Sequence, residues 1–562
     1  MTNLGTRRVA GLLLVLGGCG HGDDRPLTSF PNSVAAGDVT QTSAVLWTRA
    51  DREGPLAFEV SSDPKFRSAA TWFTGVVDPM VPARVTVTGL APGTLYHYRA
   101  FARRGFSPAG KFRTLPAAST SPALRFGAGG DWRGDLAPFP AVANAAGRGL
   151  DFFVALGDTI YADFPSVAVP AAQAATLAEF RSKHAEVYTP KLGLNALAEL
   201  RASTAFLATL DDHEITDDFS GGAAPASDPR FAAYPGAYIH ETALFLDGLR
   251  AFREFHPVAD ESYGATGDSR TAGKPKLYRS RTFGKTAAAF LLDARTFRDE
   301  GLPAVADPTD PGQVGSYLVS SFTPGRTLLG AAQVADLKAD LLQAQADGVC
   351  WKFVFVPEPI QNLGVVGASD RFEGYAAERT EVLKFIADNG IRNAVFVTAD
   401  IHGMVVNNLG YQISPADPQV SVESFEIATP AAAYSAPLGP EVAGLGAALG
   451  MVSPAEYAAY QAMAPADQDL FVRAILDGQL VPLGYDPVGL EGSSLNATLL
   501  EGSYVAAHAY GWSEFEIDAT TLALTVTTYG IPWYSEADLA ADPAGVAART
   551  PSIVSRFQVQ PK

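Results

Sequence analysis

The sequence predicts an α/β protein preceded by a small all-β module, and three observations support this. Residues 30–116 contain short segments of alternating apolar and polar residues separated by Gly, Pro and Asp, which is typical of antiparallel strands. Further on, the apolar runs Leu124–Ala128 and Asp151–Leu156 flank an Ala-rich segment of helical character, which predicts a strand, a helix and a parallel strand. A Gly-Asp pair follows each run, at the strand ends where α/β proteins place ligands.

Composition and charge limit the class of protein. The 562 residues are 47% hydrophobic and 18% charged, enough for an ample core in two or three domains. The formal net charge of −18 argues against a nucleic-acid-binding groove and against attraction to an anionic membrane surface. An anionic substrate would then need a local positive centre, such as a bound metal. We expect a monomer.

The first 19 residues resemble a bacterial lipoprotein signal peptide. Arg7 and Arg8 precede an apolar run, Val9–Leu16, that is too short to span a membrane. The run ends in Leu-Gly-Gly-Cys, which resembles the lipoprotein cleavage box in which Cys19 carries the lipid. Adjacent arginines resemble the twin-arginine signal, and the export route stays open. We expect an exported protein of the cell envelope, in the periplasm or on the outer membrane, whose membrane contact is the lipid on Cys19.

The domain boundaries follow from changes in pattern. Residues 20–29 are polar and predict a tether, and 30–116 predict a β-sandwich, in which Gly89–Arg99 resembles a turn and strand of fibronectin type III modules. The segment 117–122 predicts a linker. The second domain, 123–562, is expected to contain a helical insertion near 435–496.

Apolar periodicity predicts the remaining elements of the second domain. The predicted helices span 171–207, 236–256, 330–345 and 376–389, and the predicted strands span 277–283, 287–293, 351–356, 393–398, 515–518, 522–528 and 553–559.

Polar side chains follow several of these strands at their carboxyl ends. They are Asp131, Asp158 with Tyr161, Asp211-Asp212-His213-Glu214, and Asp400 with His402. Four consecutive polar side chains at a strand end require partners, and clustered carboxylates suit a hard cation. The alternative for each motif alone is a helix cap, a turn or a solvated acidic loop.

The order of these motifs, GD, GDxxY, xDHE and xDxH, resembles the calcineurin-like metallophosphoesterases, and most of all their alkaline phosphatase D (PhoD-like) family. The resemblance covers nearly the whole chain after the signal peptide. It extends to Val34–Asp38, Val45–Arg49, Phe252–Pro257, Phe290–Arg295, Leu329–Gln333, Asp370–Tyr375 and Glu378–Arg379. The resemblance implies a two-sheet αββα sandwich, with metals at one edge and a small β-sandwich domain before it.

The family motifs also imply residue roles. Asp131, Tyr161 and His402 would hold one metal, Asp158 would bridge to a second, and Asp212 and Asp400 would complete the metal ligands. His213 would act beside the leaving group as the catalytic imidazole. Asp211 is assigned with His213 to the catalytic groups, and it and Glu214 would orient neighbouring ligands.

The resemblance implies two or more metal ions. Fe³⁺ and Ca²⁺ are expected, with Mn²⁺ and Zn²⁺ as open alternatives. Gly129 stands where the family usually has a Cys ligand, and no His occurs in 356–362. Glu358 or Asn362 would take the place of that missing His.

The implied function is hydrolysis of phosphate monoesters by attack of a metal-bound hydroxide in a two-metal site. One alternative is a phosphodiesterase acting on nucleotides, phospholipids or polymer phosphodiesters. An alternative of another class is a catalytically inactive lipoprotein that binds a surface.

Overall fold

The computed structural model describes residues 27–562. The predicted signal peptide, the lipid on Cys19, the paired arginines and the first part of the tether lie outside the described residues. Within 27–562, none of the helices has the length and apolar character needed to cross a bilayer.

The strands are numbered in chain order. They are β1 Val34–Gly37, β2 Ser43–Thr48, β3 Gly54–Ser61, β4 Ala70–Val76, β5 Ala83–Thr88, β6 Leu95–Ala102, β7 Gly105–Phe106, β8 Gly110–Arg113, β9 Leu124–Trp132, β10 Phe152–Leu156, β11 Ala205–Thr209, β12 Arg279–Phe283, β13 Ala287–Leu291, β14 Trp351–Phe355, β15 Ala394–Thr398, β16 Met404–Tyr411, β17 Val420–Ala428, β18 Ala431–Ala433, β19 Ala497–Gly502, β20 Val505–Ala506, β21 Ala509–Ile517, β22 Leu524–Pro532 and β23 Ser552–Val559.

The α-helices are numbered in the same way. They are α1 Leu177–Val187, α2 Ala196–Ser203, α3 Ala243–Phe255, α4 Pro311–Ser321, α5 Ala331–Ala346, α6 Ala376–Asp388, α7 Leu438–Ala448, α8 Pro454–Gln461, α9 Pro465–Leu480, α10 Glu536–Ala541 and α11 Pro543–Ala547.

Two large sheets form the body of the molecule. The first has 11 strands, in the order β19-β23-β22-β21-β9-β10-β11-β1-β2-β5 with β18 also paired to β9. The second has seven, in the order β12-β13-β14-β15-β17-β16-β20. The central pairs β9–β10, β10–β11, β13–β14 and β14–β15 are all parallel. Parallel neighbours bring their carboxyl ends to the same edge of each sheet, and the predicted site residues follow these strands.

Aromatic side chains fill the space between the two sheets. Phe126 of β9 stacks on Phe152 of β10 at 4.6 Å and meets Phe353 of β14 edge-on at 4.8 Å. All three are buried, because alternate side chains of each strand point into this layer. Burial of a Phe side chain contributes about 1.5–3 kcal/mol, so each of these rings stabilises the packing of the two sheets.

Helices cover the outer faces of both sheets. Phe153 and Phe206 point away from the inter-sheet layer and pack in one core with Phe180 of α1 and Phe252 of α3. On the other side, residues of β13 and β14 pack with α5 and α6. The predicted two-sheet αββα sandwich is confirmed.

The N-terminal module shares a sheet with the rest of the chain. Its strands β1, β2 and β5 continue the 11-stranded sheet, because β1 pairs in parallel with β11 at Ala36 and Ala205. Its other strands form a separate five-stranded sheet, β4-β3-β6-β7 with β8 beside β6. The structure thus has a β-sandwich in 30–116 whose one layer is built into the larger sheet.

Some predicted helices are wrong in type or length. The Ala-rich segment between β9 and β10 forms three short 3₁₀ helices rather than an α-helix, at Gly134–Leu136, Pro140–Val142 and Ala145–Gly147. Pro138 and Pro140 lack the amide N–H that a helix interior needs.

The helix predicted over 171–207 is divided into α1 and α2, with Pro190 and Gly193 in the connection and β11 beginning at Ala205. The helix predicted from residue 236 begins at Ala243, where the Thr242 side chain caps it. The predicted insertion 435–496 contains α7, α8 and α9.

Candidate metal centre

The predicted ligands lie at strand ends in an uncommon backbone conformation; Asp131 is the penultimate residue of β9, and the others lie on turns after strands. The φ angles are +63° at Asp131, +49° at Asp158, +67° at Asp400 and +56° at His402. Non-glycine residues seldom adopt positive φ, and each such residue costs of the order of 1–3 kcal/mol unless its surroundings impose it. Four such residues at one edge indicate that side-chain placement there is maintained against local backbone preference.

Glycine allows two of these turns to approach each other. Gly157 has φ of +79°, and a Cβ added to it would lie 2.3 Å from Cβ of Asp211. No side chain fits in that space. The Gly before Asp158 therefore lets the turns after β10 and β11 bring their carboxylates together.

The first group of ligand-type atoms comes from three turns. Oxygens of Asp131 and Asp158 and a ring nitrogen of His402 all lie within 4.8 Å of one another. His402 Nε2 is 3.5 Å from Asp131 Oδ1, and the Tyr161 hydroxyl donates a hydrogen bond of 3.1 Å to Asp158 Oδ2. The sequence-predicted set for one metal therefore converges in space.

The buried state of Asp131 fits a cation at this position. Both of its carboxylate oxygens are buried and accept no hydrogen bond from the described residues. Burial raises the pKa of Asp131 to about 6, since a charged carboxylate loses its hydration there. A bound cation would favour the charged form and keep the Asp131 carboxylate ionised.

A second and a third group adjoin the first. One comprises Asp158, Asp212 and His213, and the other Asp211, Asp212 and Asp400. Asp158 belongs to the first two groups, as a bridging carboxylate would. Burial, followed by the charges of Asp212 and Asp211, raises the pKa of Asp158 well above its usual value.

His213 is held on one side by a carboxylate. Its Nδ1 lies 2.8 Å from Asp163 Oδ1, and its Nε2 lies 3.7 Å from Asp217 Oδ1. Burial alone lowers the pKa of His213, but the charges of Asp212, Asp163 and Asp217 outweigh burial and raise that pKa to about 10. The imidazole is therefore oriented by Asp163 and able to carry a proton, as a catalytic group requires.

Glu214 stabilises the strand-end turns and is not available as a ligand. Its carboxylate accepts hydrogen bonds from the backbone N–H groups of Asp158, Thr159 and Asp211 at 3.2, 2.5 and 2.8 Å, and from the Thr159 hydroxyl at 2.6 Å. It ties the turn after β10 to the turn after β11. That Glu214 orients neighbouring ligands stays a prediction.

Arg295 is the main residue at this edge to which the sequence analysis gave no role. Its side chain is fully buried, donates from Nε to Asp211 Oδ1 at 2.6 Å, and has a terminal nitrogen 3.3 Å from Asp212 Oδ2. A pair of hydrogen bonds of 2.7 and 2.8 Å joins it to Asp370. Arg295 and Asp370 lie in Phe290–Arg295 and Asp370–Tyr375, two segments that resemble the family. That resemblance was the signal by which a role for these residues could have been predicted.

Glu358 and Asn362, the predicted replacements for the missing family His, lie in different surroundings. Glu358 Oε1 binds both Arg295 and Arg298, so this carboxylate neutralises the arginines. Asn362 lines a separate pocket with Tyr485. The substitution of Glu358 or Asn362 for the missing family His stays a prediction; Glu358 Oε2 is buried and has no hydrogen-bond partner among the described residues.

Tyr434 completes the aromatic side of the centre and was also missed. Its ring stacks on His402 with centroids 3.8 Å apart and lies 5.1 Å from the Tyr161 ring. It follows β18, a strand of three residues that pairs with β9. Such a short strand leaves little periodicity in the sequence by which to predict it.

Comparison with known proteins agrees with this geometry. Residues 125–472 match the family described as PhoD-like phosphatase, and residues 21–116 match the PhoD-like phosphatase, N-terminal domain. The chain therefore belongs to the PhoD-like phosphatase family, and the resemblance inferred from the motifs is confirmed.

Individual proteins with known names are similar to this chain. Alkaline phosphatase D of Bacillus subtilis (strain 168) is 28% identical over 412 residues, which are 68% of this chain and 65% of the relative. The solved structure of PhoD superposes with a TM-score of 0.67 at 20% identity, covering 94% of this chain and 90% of that one. A purple acid phosphatase from yellow lupin (Lupinus luteus) has a TM-score of 0.47 at 10% identity over 95% of this chain and 74% of that one.

Proposed function

We propose that this chain is an exported, metal-dependent phosphatase that hydrolyses phosphate monoesters at a two-metal site. The observation that carries the proposal is the position of Asp158, whose carboxylate belongs to two adjoining groups of ligand-type atoms. Membership of the PhoD-like phosphatase family and the name of the Bacillus relative support the same reaction.

The residues divide into two ligand sets joined by Asp158. Asp131, Tyr161 and His402 would hold one cation, and Asp212 with Asp400 would hold the other. Carboxylate and phenolate oxygens are hard ligands, which favours Fe³⁺ with Ca²⁺, while His402 also suits Mn²⁺ or Zn²⁺. Cations in such a site would supply neutralisation of phosphate charge and a lowered pKa for bound water.

The chain itself provides the proton chemistry at the leaving group. His213 Nδ1 is oriented by Asp163, which leaves Nε2, 3.7 Å from Asp217 Oδ1, as the nitrogen that would donate a proton to the departing alkoxide. Arg295 holds Asp211 and Asp212 in place with a permanent positive charge. The export signal and the lipid on Cys19 would place this monomeric enzyme at the cell envelope.

Parallel assays on p-nitrophenyl phosphate and bis(p-nitrophenyl) phosphate test the proposal, with chelation followed by metal addition as the control. We expect faster hydrolysis of the monoester, loss of activity on chelation and recovery with added metal. Faster hydrolysis of the diester would move the assignment to a phosphodiesterase. Hydrolysis of neither ester with any added ion would favour the inactive surface-binding lipoprotein.

A further inference from the structure

An apolar cleft opens directly beside the candidate metal centre. It has a volume of about 340 Å³, and its polar end includes Asp212, His213, Asp400, His402 and Tyr434. The opposite wall comes from α7, the loop after it, and α9. Its apolar lining residues include Leu438, Val442, Leu445, Leu449, Met451, Ile475 and Leu476.

The wall is partly open to solvent. The side chains of Leu445 and Met451 are 44% and 39% exposed, whereas Leu438 and Leu476 behind them are buried. Large apolar side chains that face water along a cleft are costly to hydrate, and contiguous ones mark sites where a ligand covers them. The position of this surface, next to catalytic groups, favours the substrate as the covering ligand.

Backbone contacts fix the wall against the metal edge. The Leu438 N–H donates to the His402 carbonyl at 3.2 Å, and the Gly439 N–H donates to the Ala507 carbonyl at 2.7 Å. A Cβ on Gly403 would lie 2.5 Å from Cβ of Leu438, so the start of α7 rests on the turn that carries His402. The start of the apolar wall is therefore attached to the turn that carries His402.

Charge at the cleft excludes a second anionic group. Besides the proposed metal ligands, its acidic lining residues include Asp370, whose charge Arg295 and Arg298 balance. Three further acidic residues line it: Asp217 and Asp218 near His213, and Glu441 on α7. The one arginine there, Arg371, is paired with Glu373. An uncharged apolar group is thus the substituent that this cleft accommodates best.

Building on the proposed function, we propose that the α7–α9 cleft binds the organic group of the substrate, and that the preferred substrates are phosphate esters of apolar alcohols. The phosphate would lie at the Asp158 end, and the alkyl or aryl group would lie along Leu445, Met451 and Ile475. The cleft then acts through affinity and positioning, and the chemistry at phosphorus is unchanged.

Methyl, propyl and hexyl phosphate test this as soluble esters that differ only in apolar length. We expect kcat/KM for phosphate release to rise by about two- to fourfold per methylene while the chain covers the wall. Calorimetric binding of methyl- and hexylphosphonate to the metal-loaded protein should show the same trend without turnover. A flat dependence in both measurements would overturn the inference.

Substitutions in the apolar wall test whether its side chains cause the preference for longer esters. Leu445→Ser combined with Met451→Ser replaces exposed side chains and should reduce the ratio of kcat/KM for hexyl to methyl phosphate at least about fivefold. Leu500→Ser, a similarly exposed residue on β19 outside the cleft, should keep the wild-type ratio. An unchanged ratio in the double variant would overturn the proposal.

The same experiment separates the two proposals. If wild-type protein hydrolyses every ester with the same kcat/KM and binds both phosphonates equally, the phosphatase assignment stands and the cleft assignment fails. If no ester is hydrolysed but hexylphosphonate binds more tightly than methylphosphonate, the phosphatase assignment fails and the cleft assignment stands.

Discussion

Among single residues, the proposed function gives Asp158 and His213 separable roles. Asp158 lies in two ligand groups, whereas the His213 ring is held by Asp163 beside them. We expect Asp158→Asn to lose both bound metal and activity, because the bridging charge is removed. We expect His213→Gln to keep the metal content of the wild type and to lose about 10²- to 10⁴-fold in kcat, because only proton transfer is removed.

Elemental analysis and phosphate release on both variants, purified without chelators, measure the difference. Loss of metal to the same extent in both variants would show that His213 is a ligand and that the two roles are misassigned.

Arg295 gives a second prediction at this scale, for stability. It is fully buried and neutralises Asp211, Asp370 and Glu358. Arg295→Leu leaves Asp211 buried without its cationic partner and leaves Asp370 and Glu358 with Arg298 alone, so we expect the free energy of unfolding to fall by about 3–5 kcal/mol. Urea denaturation of the metal-free protein measures it.

The matched control is Arg67→Leu, because Arg67 pairs with Asp63 on the surface with its side chain 77% exposed. We expect the control to change the free energy of unfolding by less than about 1 kcal/mol. Equal effects of the two substitutions would contradict the account of Arg295.

At the scale of elements, the end of α3 makes stability depend on pH. His256 follows α3, is buried, and bonds to the Tyr188 hydroxyl through Nε2 at 3.0 Å and to the Phe252 carbonyl through Nδ1 at 2.8 Å. Burial, assisted by the charge of Arg201, lowers the pKa of His256 to about 3. The folded protein therefore holds this imidazole neutral.

The sign of the pH effect follows from that lowered pKa. The stability that neutral His256 contributes is present above its unfolded-state pKa near 6.5. It is lost as the pH falls, because the unfolded chain takes up the proton more readily than the folded chain. Between pH 7 and pH 5 we expect His256 to account for a loss of about 2 kcal/mol. His256→Phe should remove that part of the loss in urea titrations at the two pH values. Parallel stability profiles for the variant and the wild type would contradict the assignment.

At the scale of the whole molecule, the N-terminal module and the metallophosphoesterase body share a sheet. Besides the pairing of β1 with β11, the Trp47 indole N–H donates to the Glu254 carbonyl at 2.8 Å, and the Arg201 guanidinium lies over the Trp47 ring. Removal of residues 1–116 would expose the β11 edge and the apolar face beneath Trp47. We expect the fragment 117–562 to aggregate, whereas a chain starting at Leu27 stays soluble.

Size-exclusion chromatography and phosphate release on both truncated proteins measure this. A monomeric, active fragment 117–562 would contradict the view that the two parts form one structural unit.

The strand-end motifs could be predicted because they depend on residues that are close together in the sequence. The strand-end motifs at Asp131, Asp158 and Asp400 could be recognised because each follows a short apolar run, and parallel strands bring such ends to one edge. The roles of Arg295 and Tyr434 could not be predicted in this way. Their contacts join residues far apart in the chain, and nothing beside either residue in the sequence shows its partner.

Two features of the fold could not be predicted from the sequence, because they depend on packing and on pairing between distant residues. The segment between β9 and β10 has the composition of a helix, but its prolines and close packing favour 3₁₀ turns. The continuity of β1 with β11 is a pairing across about 170 residues, and the alternation within β1 does not specify its neighbour.

The proposed function depends on acidic, phenolic and imidazole groups from separate strands that together hold the cations needed for hydrolysis of phosphate esters. Elemental analysis of the wild-type protein, purified without chelators and assayed for phosphate release on the same sample, tests it most directly. We expect at least two metal equivalents per chain, with activity lost and regained in proportion to metal content. Protein that contains no metal, takes up none of the added ions and releases no phosphate would contradict it.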